Sequence, residues 1–261
     1  MKRFYVVGTK TSKSLSPLIF NYWFKKHKIK SKYGYIELNQ GNFNKKIKST
    51  IFDKNVGGLN ITIPFKQKIM RYIQTFDRHA KQINAVNCVT IKSKIKGSNT
   101  DWNGYFRTLP KKIKPKTTNV LLIGYGGAAL AIHYVLKKKG FKNIIVVNRS
   151  KKKLSFEKRI TYTNKIENID NFLSSADLII NTIPKNPISK KNSKLVKPSA
   201  TLSDIVYKPK ETMFLKNFPS NKKIYGITML LEQAALCFIL WFGFRPHIDK
   251  KLVNILEKKI K

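Results

Sequence analysis

The apolar run Asn119–Ile123 ends in Gly124-Tyr125-Gly126-Gly127-Ala128-Ala129, and this junction narrows the fold more than any other part of the chain. Gly124-x-Gly126-x-x-Ala129 has the spacing of a strand-to-helix turn that cradles a dinucleotide. The first glycine makes the tight turn, and the second lets the backbone approach a pyrophosphate. The small third residue packs helix on strand, and the helix N-terminus faces the phosphates. Glycine-rich turns are common, so context decides. A strand precedes this one. A helix over Ala128–Lys139, closed by Gly140, follows it. A second strand, Asn143–Val147, comes next. A strand-helix-strand unit of this kind requires a parallel sheet. Gly124, Gly126, Gly127 and Ala128 are the candidate pyrophosphate contacts.

The second strand runs into Asn148-Arg149-Ser150, 24 residues after Gly124. An NAD site places an acid here for the ribose 2′-hydroxyl, and none is present. Arg149 can pair with a 2′-phosphate and stack on adenine. Asn148 and Ser150 add neutral donors, and Lys153 adds charge. The residues favour NADP(H) over NAD. The plain alternative is that Arg149 is one more cation in a basic chain. Against it, the 53 basic residues comprise 46 lysines and 7 arginines, so arginine is the rare one.

Strands and helices alternate along the chain, which argues for an α/β architecture with parallel sheets. Phe4–Gly8, Tyr33–Leu38, Gly58–Ile63 and Val86–Lys92 read as strands of a first region. Pro17–His27 reads as a helix with proline in its first turn, and Pro64–Ile73 as a second that starts the same way. Beyond the glycine turn, Asp177–Ile183, Thr201–Val206 and Lys223–Ile227 read as further strands. Helices follow over Met229–Gly243 and His247–Ile260. The domain change falls near Gly104, giving residues 1–103, a nucleotide domain over 104–228, and C-terminal helices at 229–261 that pack back on the first domain.

Bulk properties limit the remaining classes. The length, 261 residues with 42% hydrophobic, supports two modest cores. No apolar run reaches the roughly 20 residues of a membrane span. The nearest, Ile227 to Phe244, is broken by Glu232-Gln233. The N-terminal apolar run is too short for a signal peptide. Cys88 and Cys237 make no disulfide framework. His27, His79, His133 and His247 have no ligand spacing, so no metal is expected. A cytoplasmic protein fits all of this. The net charge of +40 is spread as lysine along the whole chain, with no arginine-rich motif. Biased coding composition, which also enriches Asn and Ile, explains it more simply than a nucleic-acid partner. The field it creates attracts anionic ligands.

The first region carries the polar candidates. Ser14 and Ser16, in Lys13-Ser14-Leu15-Ser16-Pro17, point the same way in an extended loop and can reach one carboxylate. Ser16 is equally placed to N-cap the Pro17 helix. Asn60 and Thr62 share a face at i, i+2 in Gly58-Leu59-Asn60-Ile61-Thr62-Ile63-Pro64-Phe65-Lys66. Lys66 falls in the first turn of the expected Pro64 helix. On its own it is one lysine among 46. Asn99-Thr100-Asp101-x-x-Gly104 reads as a helix N-cap.

Taken together, Ser-x-Ser-Pro, Gly-x-Asn-x-Thr-x-Pro-Phe-Lys, Ala85-Val86-Asn87, Asn99-Thr100-Asp101 and the glycine turn resemble the shikimate dehydrogenase family in order and spacing. So do Asp204-x-x-Tyr207-x-Pro209-x-x-Thr212 and Gly226-x-x-Met229-Leu230-x-x-Gln233-Ala234. The resemblance runs nearly end to end. It implies an N-terminal substrate-binding domain, a Rossmann-like NADP domain and a cleft between them. It also implies reduction of 3-dehydroshikimate to shikimate by NADPH, and the reverse. Lys66 and Asp101 would be catalytic. Ser14, Ser16 and Tyr207 would hold the substrate carboxylate, and Asn60, Thr62, Asn87 and Gln233 the rest of the ring. Thr182, in a loosely matching Asn181-Thr182-Ile183-Pro184, Ile205 and Gly226 would lie on the cofactor side. Lys13, Cys88 and Thr228 depart from the usual family residues. A quinate/shikimate dehydrogenase with broader substrate and NAD use is the neighbouring alternative. A nucleic-acid-binding protein would have no need of the Lys66, Asp101, Asn87 and Gln233 set. Monomers and dimers both occur in the family, and a homodimer is the expectation here.

Overall fold

A computed structural model describes residues 1–157 and 161–261. They form two units, Met1–Asp101 with Leu231–Leu256, and Trp102–Leu230 with Glu257–Lys261.

The first unit is laid down by β1 (Lys2–Gly8), α1 (Ser16–Lys26), β2 (Ser31–Glu37), α2 (Phe43–Ile51), β3 (Val56–Ile61), β4 (Thr75–Phe76), α3 (Arg78–Ile83), β5 (Cys88–Ile91) and β6 (Ile95–Ser98). Its sheet has the order β2-β1-β3-β5-β6-β4. β1 pairs in parallel with β2 and β3, but β5 runs antiparallel to both β3 and β6. The sheet is therefore mixed, not parallel as the alternation suggested. Only Lys92–Lys94 joins β5 to β6, and parallel pairing would need a crossover of a dozen or more residues.

The period of two along β1 sends Phe4 and Val6 to one face and Val7 to the other. Val7 joins Phe43, Ile47, Leu59, Phe65 and Ile69, all fully enclosed. Phe4 meets a second, aromatic layer. There Phe20, Trp23 and Phe24, spaced to share a face of α1, pack on Phe238 and Trp241. Phe4 and Trp241 lie 4.7 Å apart, centroid to centroid. The chain segment after residue 230 therefore completes this core. Tyr22 and Lys26 of α1 both bind Asp249, at 2.9 and 2.5 Å.

Two local expectations fail here. No helix starts at Pro64. The Ile63–Pro64 bond is cis, and Lys68–Tyr72 forms only a 3-10 turn. The Lys66 carbonyl, which a helix would offer to Met70, instead accepts the Val86 amide at 2.8 Å. Tertiary pairing has taken the bond that helix propagation needed. Nor does Ser16 cap α1. The helix already includes Ser16, and its amide donates to Ser14 Oγ at 3.2 Å, so Ser14 does the satisfying.

The second unit comprises α4 (Asp101–Phe106), β7 (Val120–Ile123), α5 (Gly127–Lys138), β8 (Ile144–Asn148), β9 (Asn164–Lys165), α6 (Asp170–Leu173), β10 (Leu178–Asn181), β11 (Thr201–Asp204), α7 (Met213–Lys216) and β12 (Lys222–Tyr225). Then come α8 (Gly226–Phe242) and α9 (Lys250–Lys259), most of which belong to the first unit. The sheet order is β12-β11-β10-β7-β8-β9, and every pair is parallel. Counted from β7 this is the doubly wound order, with its topological switch point between β7 and β10. β7 and β10 are buried throughout, as strands covered on both faces must be. α5 ends at Gly140 (φ +86°), with Phe141 N–H on Leu136 O and Gly140 N–H on Lys137 O. These are the paired bonds of a Schellman cap, as the glycine led us to expect. Among the described residues, no helix is long and apolar enough to cross a membrane.

Candidate active site

In the first unit a buried polar network gathers residues from five separate stretches of chain. Phe65 is fully enclosed and stacks on Phe43 at 4.3 Å, which fixes where the next residue starts. That residue, Lys66, places Nζ 2.5 Å from Asp101 Oδ2, with side chains only 11% and 7% exposed. The other carboxylate oxygen, Oδ1, accepts Asn87 Nδ2 at 2.9 Å. Asn87 is held in turn, because its Oδ1 accepts the Thr100 amide at 2.6 Å. Its Nδ2 also lies 3.3 Å from Gln233 Oε1 on α8. A buried ion pair needs this kind of support, since its remaining lone pairs lose water. Four of the expected residues, Lys66, Asp101, Asn87 and Gln233, thus share one hydrogen-bonded system.

Asn60, the other asparagine expected at the site, is buried beside Asn87. Its Nδ2 donates to Asn87 O at 3.2 Å and to Cys237 Sγ at 3.0 Å, and its Oδ1 accepts the Tyr33 hydroxyl at 2.7 Å. Both ends of the Asn60 amide are engaged within the protein, as are those of Asn87, and the bond to the Asn87 carbonyl ties the two residues together. Thr62 is half-buried just past β3, its amide on Val7 O at 2.9 Å. Ser14 and Ser16 do come together, Oγ to Oγ, at 3.2 Å.

Sequence reasoning missed three members. Thr100 contacts Asn87 Nδ2 at 2.9 Å and Cys237 Sγ at 3.2 Å. Tyr33 anchors Asn60. Cys237 is the thiol beneath both Asn60 and Thr100. Only Cys237 carried a local signal, lying four residues after Gln233 and so on the same face of its helix. Cys88 is also enclosed, and burial pushes its thiol well above the usual range.

In the second unit the cofactor candidates cluster at the switch point. Gly124 has φ +93°, and a Cβ there would stand 2.5 Å from Thr182 Oγ1. Only glycine fits both constraints. Thr182 in turn donates to Ile123 O at 2.6 Å, bracing the turn from β10. Gly126 caps α5 and its missing Cβ would face open space. Gly127 and Ala128 open the helix with amides that have no intrahelical acceptor, while Ala129 is buried. A backbone cradle that a side chain would fill, at a helix N-terminus, fits a pyrophosphate. Asn148 Oδ1 accepts the Tyr125 amide at 3.1 Å, and its Nδ2 donates to Ser150 O at 2.8 Å. Arg149, Ser150 and Lys153 are exposed, and no ion pair to Arg149 lies among the described residues. Those residues fit a 2′-phosphate.

Ile205 and Tyr207 are half-buried in the segment after β11. Asp204 shapes that segment. It accepts Thr212 Oγ1 at 2.6 Å and the Val206 amide at 2.9 Å, and burial raises its carboxyl above the ordinary range. Gly226 lets the start of α8 approach Ile205, since a Cβ would sit 2.4 Å from the Ile205 carbonyl oxygen.

Comparison with known proteins identifies the family of both domains. Residues 6–89 match the family described as shikimate dehydrogenase substrate binding domain, and residues 108–205 match shikimate / quinate 5-dehydrogenase. The shikimate dehydrogenase (NADP(+)) of Bartonella tribocorum is 36% identical over 98% of this chain and 93% of its own length. That of Clostridium beijerinckii is 36% identical over the full length of both. Among solved structures, shikimate dehydrogenase 1 from Peptoclostridium difficile superposes with a TM-score of 0.86 at 28% identity, covering 100% of this chain and 98% of the other. A shikimate dehydrogenase solved with NADP+ gives 0.85 at 28%, covering 100% and 96%. With both domain families matched in order and full-length relatives above 30% identity, the chain belongs to the shikimate dehydrogenase family.

Proposed function

We propose that the chain interconverts 3-dehydroshikimate and shikimate with NADPH and NADP+. The observation that carries the reading is the buried Lys66–Asp101 pair held by Asn87, in a chain whose full-length relatives are NADP-dependent shikimate dehydrogenases.

The cofactor supplies the hydride to the ring carbonyl carbon, or receives it in the reverse direction. The chain's own residues handle the charge that this creates. As the carbonyl carbon gains hydride, negative charge grows on its oxygen. Lys66 spends one N–H on Asp101 and keeps two more for a ligand. An ammonium aimed at that oxygen stabilises the developing alkoxide and can hand it a proton. Asp101 fixes the direction of the ammonium, and Asn87 fixes Asp101. Gln233 and Asn87 offer amide groups to ring hydroxyls, with Thr62 beside them. Ser14, Ser16 and Tyr207 are assigned to the carboxylate. Gly124, Gly126, Gly127 and Ala128 hold the pyrophosphate. Asn148, Arg149, Ser150 and Lys153 take the 2′-phosphate end, and Thr182, Ile205 and Gly226 line the nicotinamide side. A cytoplasmic homodimer is the assembly this reading expects, and sedimentation velocity tests it.

The direct test is absorbance at 340 nm with shikimate or quinate, each paired with NADP or NAD. The expected result is turnover confined to shikimate with NADP. Comparable turnover of quinate or use of NAD would move the protein to the broader quinate/shikimate class. Silence with all four pairs would overturn the reading.

A further inference from the structure

The second unit contains a buried polar chain that the proposed reaction does not use. Tyr125 is the residue between the first two glycines of the turn, and it is 4% exposed. Its hydroxyl lies 2.9 Å from His133 Nδ1 on α5 and accepts the Ser155 amide at 2.9 Å. His133 Nε2 lies 3.2 Å from Glu157 Oε1, and Glu157 Oε2 accepts Lys137 Nζ at 2.9 Å. His133 is wholly enclosed, with the rings of Tyr125 and Phe156 against it.

Burial holds the His133 imidazole down at about 4, so the ring is neutral near pH 7. Neutrality sets the sense of every bond. A carboxylate only accepts, so Nε2 carries the hydrogen, and Nδ1 accepts from the Tyr125 hydroxyl. The relay runs from the Ser155 amide through Tyr125 and His133 to Glu157 without an orphaned group.

Tyr125 is also tied through its backbone. Its amide donates to Asn148 Oδ1 at 3.1 Å, and its carbonyl accepts Lys152 Nζ at 3.1 Å. One residue of the glycine turn therefore grips the stretch Asn148–Ser155 near both ends and in the middle. Thr163 reinforces the middle, accepting the Lys152 amide at 3.0 Å and donating to Ser150 O at 3.2 Å. Arg149, Ser150, Lys151 and Lys153 lie within that stretch and are exposed.

We propose that Tyr125, His133 and Glu157 are positioning residues that hold the Arg149–Lys153 segment in the shape that receives the cofactor's 2′-phosphate. Discrimination between NADP and NAD then depends on a buried relay as well as on Arg149 itself. The inference rests on the NADP reading above. A mobile segment would have to be ordered at each binding event, and that cost weakens binding.

The test is isothermal titration calorimetry of the full-length protein with NADP+, NAD+ and adenosine 2′,5′-bisphosphate. His133→Ala and Tyr125→Phe should each weaken NADP+ and the bisphosphate by about five- to tenfold, the lower range for lost outer-sphere support, and leave NAD+ within about twofold. His133→Gln should restore most of the selectivity, because its amide can donate to Glu157 and accept from Tyr125. In steady state, KM for NADPH should rise by the same factor while kcat moves less than about twofold. Tyr125→Phe removes a single oxygen and keeps the ring in place, so the test survives if His133→Ala does not fold. Equal weakening of NADP+ and NAD+ would overturn the inference, because a relay that merely supports the fold cannot change selectivity. Unchanged NADP+ affinity in both variants would overturn it too. If the unaltered protein shows no preference for NADP+, the cofactor reading fails first and takes this one with it.

Discussion

The two candidate sites are built from opposite materials. In the first unit the site is made of side chains that hold one another in place. Lys66, Asp101, Asn87, Thr100, Gln233, Cys237, Asn60 and Tyr33 form one buried network, and each depends on the next. In the second unit the core of the site is backbone. A glycine at positive φ, an open cap and the first amides of α5 do the holding, while the side chains at its edge, Arg149, Ser150 and Lys153, are exposed. The contrast teaches where substitutions will be felt. A linked, buried network transmits a change through its partners, whereas an exposed edge loses only the contact that is removed.

The largest effect tests the network. Lys66→Ala should lower kcat by about 10²- to 10⁴-fold and change KM for shikimate only a few-fold, the range for loss of a positioned acid–base group. It also leaves Asp101 buried and unpaired, which costs roughly 3 kcal/mol or more of stability, so a thermal melt must accompany the kinetics. Near-normal kcat would take Lys66 out of the chemistry and erase the contrast.

The next effect is a matter of pH and belongs to the second unit. His133 titrates at about 4 in the folded chain and near 6.5 unfolded. Between those values the unfolded state binds more protons, so stability rises with pH across the window. The full contribution is present above about pH 6.5 and is lost as pH falls towards 4, to a total of up to about 3 kcal/mol. Urea denaturation at a series of pH values checks this, and His133→Gln should flatten the slope. A slope that survives the substitution would place its origin elsewhere.

Arg149→Ala sharpens the comparison at the exposed edge. It should raise KM for NADPH about tenfold, leave KM for NADH unchanged, and leave the melting temperature within a degree or so, as expected for an exposed charge-assisted contact. A large drop in stability would mean that the edge is not independent after all. The smallest effect is expected for Cys237→Ala, beneath the network. It removes one of the two acceptors of Asn60 Nδ2 and a partner of Thr100. A fall in kcat of about three- to tenfold should result, below the roughly ten- to hundredfold typical of groups that directly orient a ligand-binding side chain. Unaltered kinetics would show that Tyr33 and the Asn87 carbonyl suffice to hold Asn60.

Legibility in the sequence follows the same division. The glycine turn was readable because its information is local. Gly124, Gly126 and Ala129 stand within six residues, between a strand and a helix that announce themselves. The cap at Gly140 was readable for the same reason. Lys66 was not readable as itself, being one of 46 lysines, and came forward only through the residues around it. The rest depended on contacts between distant parts of the chain. The surroundings of Asn60 were hidden because Cys237, 177 residues away, takes its amide. The Pro64 helix failed because Val86 claims the Lys66 carbonyl. The β5–β6 hairpin escaped because Val86–Lys92 and the strand after it lack a glycine or asparagine turn to separate them. None of these competitions is visible in propensity or period.

The aromatic layer of the first unit has a consequence for how the protein is born. Phe4 lies against Trp241, Phe20 against Phe238, and Asn87 against Gln233. A ribosome delivers the N-terminal partners first and must then complete all of Trp102–Leu230 before their counterparts emerge, on the order of ten seconds later. During that interval the nascent chain carries an unfinished hydrophobic sheet. The nucleotide-binding unit, whose elements are nearly contiguous, is free to fold ahead of the unit that precedes it in sequence.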